Sequence, residues 1–150
     1  MTVAPNPTML KFGHPRTLIA ETSCWTVLLR PQQVTLGSLV LACRETAKAF
    51  SELTPQAFGE LRDVVRSTEA ALQGFVGYQK INYLMLMMVD PDVHFHVFPR
   101  YEGTRQFAGL EFPDRGWPGP PALADSVSPD EAKTALLVKE IRAGWVTRTG

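Results

Sequence analysis

The segment of this 150-residue chain richest in reactive side chains is Asp92-Val93-His94-Phe95-His96-Val97-Phe98-Pro99-Arg100. A strand returns to one side every second residue. Asp92, His94, His96 and Phe98 are therefore expected on one face, with Val93, Phe95 and Val97 on the other. Two imidazoles spaced in this way lie about 7 Å apart at Cα. With a carboxylate before them and the Arg100 guanidinium just after, they are suited to hold an anion or a metal. The competing reading makes both imidazoles satisfied or solvated polar groups on an outer sheet face. A metal site needs three or four ligands. Glu102 falls later than the carboxylate of cupin-like His-x-His sites, and His14 is the one remaining imidazole. Met85, Met87 and Met88 have no Cys or His between them and read as core or interface filler.

The flanking sequence predicts the elements that would position these groups. Residues 1–16, with three prolines and a glycine, are expected to form a loose arm that docks on a partner subunit. The short β-branched and aromatic runs 17–21, 24–29 and 38–43 predict three strands, broken at Arg30-Pro31 and reopened after Gly37. Thr54-Pro55 caps and starts a helix in which Phe58, Leu61, Val65 and Leu72 form the apolar stripe, with Gly74 as the stop. Lys80 to Met88 is apolar on both faces, so it is expected in the middle of the sheet, and a strand over 92–98 follows, ended by Pro99. From 103 to 126 the Gly, Pro and Asp content predicts an irregular excursion, anchored by Trp117 on the core or on a second subunit. Ser128-Pro129-Asp130-Glu131 then caps a last helix whose stripe is Leu137, Ile141 and Trp145. The fold class is α+β: an antiparallel sheet of about five strands, one main helix and a C-terminal helix. The expected divisions are an arm over 1–16, a domain over 17–101, and an extension over 102–150 packed on that same domain.

Composition narrows the function classes. Fifteen basic and fifteen acidic residues give no net charge, which argues against nucleic acid or an anionic membrane as partner. The longest uncharged apolar run, 81–89, is too short to span a bilayer, and the N-terminus carries no secretory pattern. Cys24 and Cys43, isolated in apolar runs, read as reduced core residues, so the cytoplasm is the expected location.

Lys80-Ile81-Asn82-Tyr83 followed by Asp92-Val93-His94-Phe95-His96-Val97-Phe98-Pro99-Arg100 resembles the histidine triad family of nucleotide hydrolases and transferases. That family's signature alternates three His with apolar residues and often closes on Pro-Arg. Here Asp92 stands at the first His, and His94 and His96 match the second and third. The order of elements over about 17–101 fits as well. The resemblance implies that His94 attacks the α-phosphorus of a nucleoside phosphoramidate or a dinucleoside polyphosphate such as diadenosine polyphosphate. The nucleotidyl-histidine intermediate is then hydrolysed, while His96 contacts the phosphate. It also implies phosphate or nucleotide contacts from Asn82, Arg100 and Asp92, and from Ser38, where several branches carry a further His. Arg30 stands near an Asn of the nucleotide site in some branches. Asp92 would either raise the His94 pKa or orient its ring. No cofactor or metal is implied, and the partners implied are the nucleotide substrate and a second copy of the chain in a homodimer. Two alternatives stand beside this reading: a catalytically weakened nucleotide-binding protein and a metal-binding His-x-His site.

Overall fold

The computed structural model describes residues 4–145. Five strands, β1 (Leu18–Glu21), β2 (Trp25–Leu29), β3 (Leu39–Cys43), β4 (Lys80–Leu84) and β5 (His94–Arg100), form one antiparallel sheet in the order β1-β2-β3-β5-β4. The main helix α2 (Pro55–Val76) covers one face, and α3 (Glu131–Ala143) packs beside it. The α+β class and the five-stranded sheet match the expectation from sequence. No helix among the described residues is long and apolar enough to cross a membrane.

Helix α2 starts where Thr54 Oγ1 accepts from the Ala57 amide at 3.1 Å and Pro55 fills the first helical position. It runs past the expected stop at Gly74 to Gly77, whose left-handed φ of 63° ends the helix with its amide on the Gln73 carbonyl. The apolar register explains the extra turn: Leu72 and Val76 are both buried against the sheet, so stopping at Gly74 would have exposed the end of the stripe. Phe58, expected in that stripe, is exposed and packs at a tilt against Phe50; Ala57, Val64, Thr68 and Ala71 take the inner face instead. Trp25 fixes the helix to the sheet, donating from Nε1 to the Ala57 carbonyl at 2.7 Å. Gly37, at φ 86°, lies under the other end of α2, where a Cβ would meet Leu72 and Val76 at 3.0 Å.

Four further expectations are corrected. Strand β4 lies at the sheet edge, not its centre, and ends at Leu84; the apolar residues after it leave the sheet as a loop, with Met88 84% exposed. Strand β5 continues through Pro99 to Arg100, because β3 ends opposite Val97 and only β4 pairs beyond that point. The excursion after Arg100 contains a hairpin, β6 (Thr104–Phe107) and β7 (Leu110–Pro113). Its two-residue turn, Ala108-Gly109, has positive φ at both positions. Ala-Gly is a weaker hairpin signal than Asn-Gly, which is why the sequence hid it. The last helix is capped by Asp130 rather than Ser128, and Leu137 and Ile141 are buried as expected. Residues 1–3 and 146–150, parts of the expected arm and extension, lie outside the described residues.

The described part of the arm, residues 4–16, is ordered rather than loose. Asn6 caps a short helix, α1 (Pro7–Lys11), accepting from the Met9 amide at 3.0 Å. Met9 and Phe12 then pack with Leu28, Val40 and Ala42 on the sheet face opposite α2.

Candidate functional site

Cross-strand partners share a face, and the register places Ala42 opposite His94, with Val40 and Leu84 opposite His96. The face that carries the imidazoles is therefore the one α1 covers. His94 and His96 are only 2% and 7% exposed, so they do not lie on an open outer surface. Their rings meet edge to face with centroids 5.1 Å apart, Phe12 packs on the edge of His96, and Phe98 stacks parallel to it.

Hydrogen bonds assign the two imidazoles opposite tautomers. His94 Nδ1 lies 2.7 Å from the Asp92 backbone carbonyl, an acceptor only, so Nδ1 carries the proton and Nε2 keeps its lone pair. His96 Nδ1 accepts from Arg30 Nε at 3.3 Å, so its proton resides on Nε2. Burial, helped by the nearby Arg30 charge, pushes the His96 pKa down to about 4, which keeps this ring neutral at pH 7. One imidazole thus offers a nucleophilic nitrogen and its neighbour an N–H donor.

The Asp92 carboxylate engages neither imidazole. It accepts from the Thr8 hydroxyl at 2.9 Å and the Thr8 amide at 3.3 Å, and it pairs with Lys48. Burial alone would raise its pKa; the Lys48 ion pair and the Thr8 donors outweigh that and hold it below the usual carboxylate value. Its side chain ties down α1, while its backbone carbonyl orients His94.

The other residues expected at the site lie elsewhere. Arg100 is buried in a bidentate pair with Asp114, at 2.8 and 3.0 Å, and also donates to Asn82 Oδ1 and the Gly119 carbonyl. That network fixes the segment after β7 to the sheet and occupies Asn82 as well. The Ser38 hydroxyl is closed into its own turn: it donates to the Thr35 carbonyl at 2.7 Å and accepts from the Thr35 amide at 3.1 Å.

A cavity of about 200 Å³ opens against the two imidazoles, walled by Lys11, Phe12, Arg30 and Gln32 on one side and by the loop from Leu86 to Asp90 on the other. Arg30 follows β2, where period two from Leu28 returns it to the imidazole face, and its side chain reaches across β3 to His96. The guanidinium also donates to the Gln32 carbonyl and lies 5.6 Å from the Phe98 ring centroid. Lys11 pairs with both oxygens of Asp90 at 2.9 and 3.0 Å. In the sequence Arg30 holds only a family position, and nothing marks Lys11 and Phe12, because the arm carries no periodic pattern to show that it folds back. Among the described residues no group of three His, Cys, Asp or Glu side chains is arranged to hold a metal ion.

No family model and no curated protein matches the chain. Solved structures do. A histidine triad protein from Sinorhizobium meliloti aligns with TM-score 0.75 and 22% identity over 95% of this chain and 97% of its own. One from Bradyrhizobium japonicum gives TM-score 0.73 and 16% identity over 95% and 98%. A third, from Marinobacter aquaeolei, gives 0.69 and 19% over 95% and 96%. The chain has the histidine triad fold.

Proposed function

We propose that this chain is a nucleotide hydrolase or nucleotidyl transferase in which His94 attacks the α-phosphorus of a nucleoside phosphoramidate or dinucleoside polyphosphate. The observation that carries the reading is the His94 Nδ1 contact with the Asp92 carbonyl, which leaves the Nε2 lone pair free beside a cavity with hydrogen-bond donors in its wall. His96 Nε2–H and the Arg30 guanidinium are the donors available to phosphoryl oxygens as charge develops on them, in a site partly shielded from water. The step forms a P–N bond to His94 as the bond to the leaving group breaks, and water then attacks the same phosphorus to release nucleotide and restore the ring. Brief incubation with a nucleoside phosphoramidate followed by intact mass measurement tests this. A nucleotidyl increment on the wild-type chain, absent from His94→Gln, is the expected result; multiple turnover by His94→Gln would overturn it. We assign the reaction no metal cofactor, and activity should survive chelator with a metal-free substrate.

One observation favours a second reading, a nucleotide-binding protein with weakened catalysis. The Asp92 carboxylate is ionised and locked onto Lys48 and Thr8, so it can neither donate a proton to a leaving group nor help His94 directly. A stoichiometric adduct that persists without turnover would favour that reading over the first.

The proposed assembly is a homodimer. Strand β4 is an edge strand whose residues Ile81, Tyr83 and Leu84 remain partly exposed, a surface that symmetric pairing would cover. Light scattering at micromolar concentration should return twice the chain mass; a monomer would refute it. The cytoplasm is the proposed location.

A further inference from the structure

Between β2 and β3 the chain makes a detour from Arg30 to Ser38, and Gln33 lies inside it, 1% exposed. A side-chain amide offers two N–H donors and an oxygen with two lone pairs. All four are used here. Nε2 donates to the carbonyls of Arg30 at 2.6 Å and Ser38 at 2.9 Å, and Oε1 accepts from the amides of Gly37 at 2.8 Å and Ser38 at 3.2 Å. Carbonyls only accept and amides only donate, so these partners fix which end of the Gln33 side chain is nitrogen. Its backbone is held too, by reciprocal 2.9 Å bonds with Val127.

Arg30 is the residue of this detour that bonds to an imidazole. Both of its main-chain polar atoms are tied inside the detour, the amide to the Ser38 carbonyl at 2.9 Å and the carbonyl to Gln33. The neighbouring Gln32 carbonyl holds one terminal nitrogen of the guanidinium at 2.7 Å. The remaining contact, Nε on His96 Nδ1, is long at 3.3 Å, so a small slip of the Arg30 backbone would break it. That contact is what keeps the His96 proton on Nε2.

We propose that Gln33 is a positioning residue: by fixing the main chain on either side of Arg30 it aims the guanidinium, and through it the His96 N–H, at the phosphoryl oxygens. The inference rests on the roles given above to Arg30 and His96, and it adds a residue that lies outside the cavity wall. Donors already in place stabilise developing charge without reorganising, and donors that must first be brought into line contribute less. A buried amide that served stability alone would be indifferent to whether Arg30 is present.

The test is a double-mutant cycle on a nucleoside phosphoramidate with Gln33→Met, Arg30→Gln and the pair. Methionine keeps the volume and loses all four bonds. Gln33→Met is expected to lower kcat about tenfold or more with KM changed by less than about threefold, but to lower kcat less than about twofold when Arg30 is already Gln. An equal fall in both backgrounds, or no fall in either, overturns the proposal. Gln33→Asn, which keeps an amide but is too short to reach the Arg30 carbonyl in the same way, carries the cycle if the methionine variant does not fold. Nitrogen NMR of the imidazoles at pH 7 reads the same positioning without turnover. Wild-type His96 should show a single tautomer protonated on Nε2, and His94 one protonated on Nδ1. In Gln33→Met the His96 tautomers should mix while His94 keeps its own. An unchanged His96, or mixing at both rings, overturns the proposal and leaves the nucleophile untouched, since the adduct on His94 decides that separately.

Discussion

His94 and His96 at one end of β5 and Arg100 at the other project from the same face of the same strand, and both ends are buried. At the Arg100 end a carboxylate, an amide oxygen and a backbone carbonyl all accept from the guanidinium. At the imidazole end each ring spends only Nδ1 on the protein, and a cavity opens beside them. Polar groups buried without an opening have to be satisfied internally, and they then serve stability. Polar groups beside an opening keep an atom free for chemistry. The two ends are told apart by hydrogen-bond accounting, not by residue type.

Substitutions should separate them. His94→Gln is expected to reduce turnover by about a thousandfold or more with little loss of stability, since it keeps most of the buried volume. A rate and melting point both near wild type would place the chemistry elsewhere. At the opposite end, Asp114→Ala leaves the buried Arg100 charge without its carboxylate and should cost about 3–5 kcal/mol in urea unfolding. Below its own melting temperature that variant should keep kcat within a few fold of wild type. A selective loss of kcat in a fully folded Asp114→Ala would move Arg100 back into the site.

Asp92 belongs to both descriptions. Asp92→Asn is expected to destabilise the fold by about 1–3 kcal/mol, because Thr8 and Lys48 lose a charged partner. It should also raise KM more than it lowers kcat, because α1 leads into Lys11 and Phe12 in the cavity wall. The pH-rate profile should keep its position, since the carboxylate is paired away from the His94 ring; a profile moved toward lower pH would show that its charge reaches the nucleophile. The smallest expected effect concerns His96. Its folded pKa of about 4 lies below the ordinary imidazole value of 6.5, so the unfolded chain takes up this proton first. The stabilisation is complete above about pH 6.5 and is lost as pH falls toward 4. His96→Gln should flatten that part of the stability-pH curve, and an unchanged slope would mean His96 is not the group responsible.

Period two was enough to place His94, His96, Phe98 and Arg100 on one face, and the strand and capping signals were enough for the five strands and the start of α2, but not for the edge position of β4 or the end of α2. What the sequence could not show was how that face is covered. The residues that close it come from α1 on one side and from Asp114 and Gly119 on the other, all remote from β5 along the chain. Nothing in Asn6-Pro7-Thr8-Met9 announces that Thr8 meets Asp92, because the match is between one hydroxyl and one carboxylate with no periodic pattern around either. Arg30 shows the middle case: its face follows from Leu28, but its contact with His96 needs the strand order.

The central claim is that an imidazole nitrogen bonds to phosphorus before water does. It is tested most directly by the stereochemistry of hydrolysis of a nucleotide substrate made chiral at the α-phosphorus with sulfur, in water enriched in heavy oxygen. Two successive in-line displacements, first by His94 and then by water, predict net retention of configuration. Net inversion would mean that water attacks the phosphorus directly, and it would contradict the account.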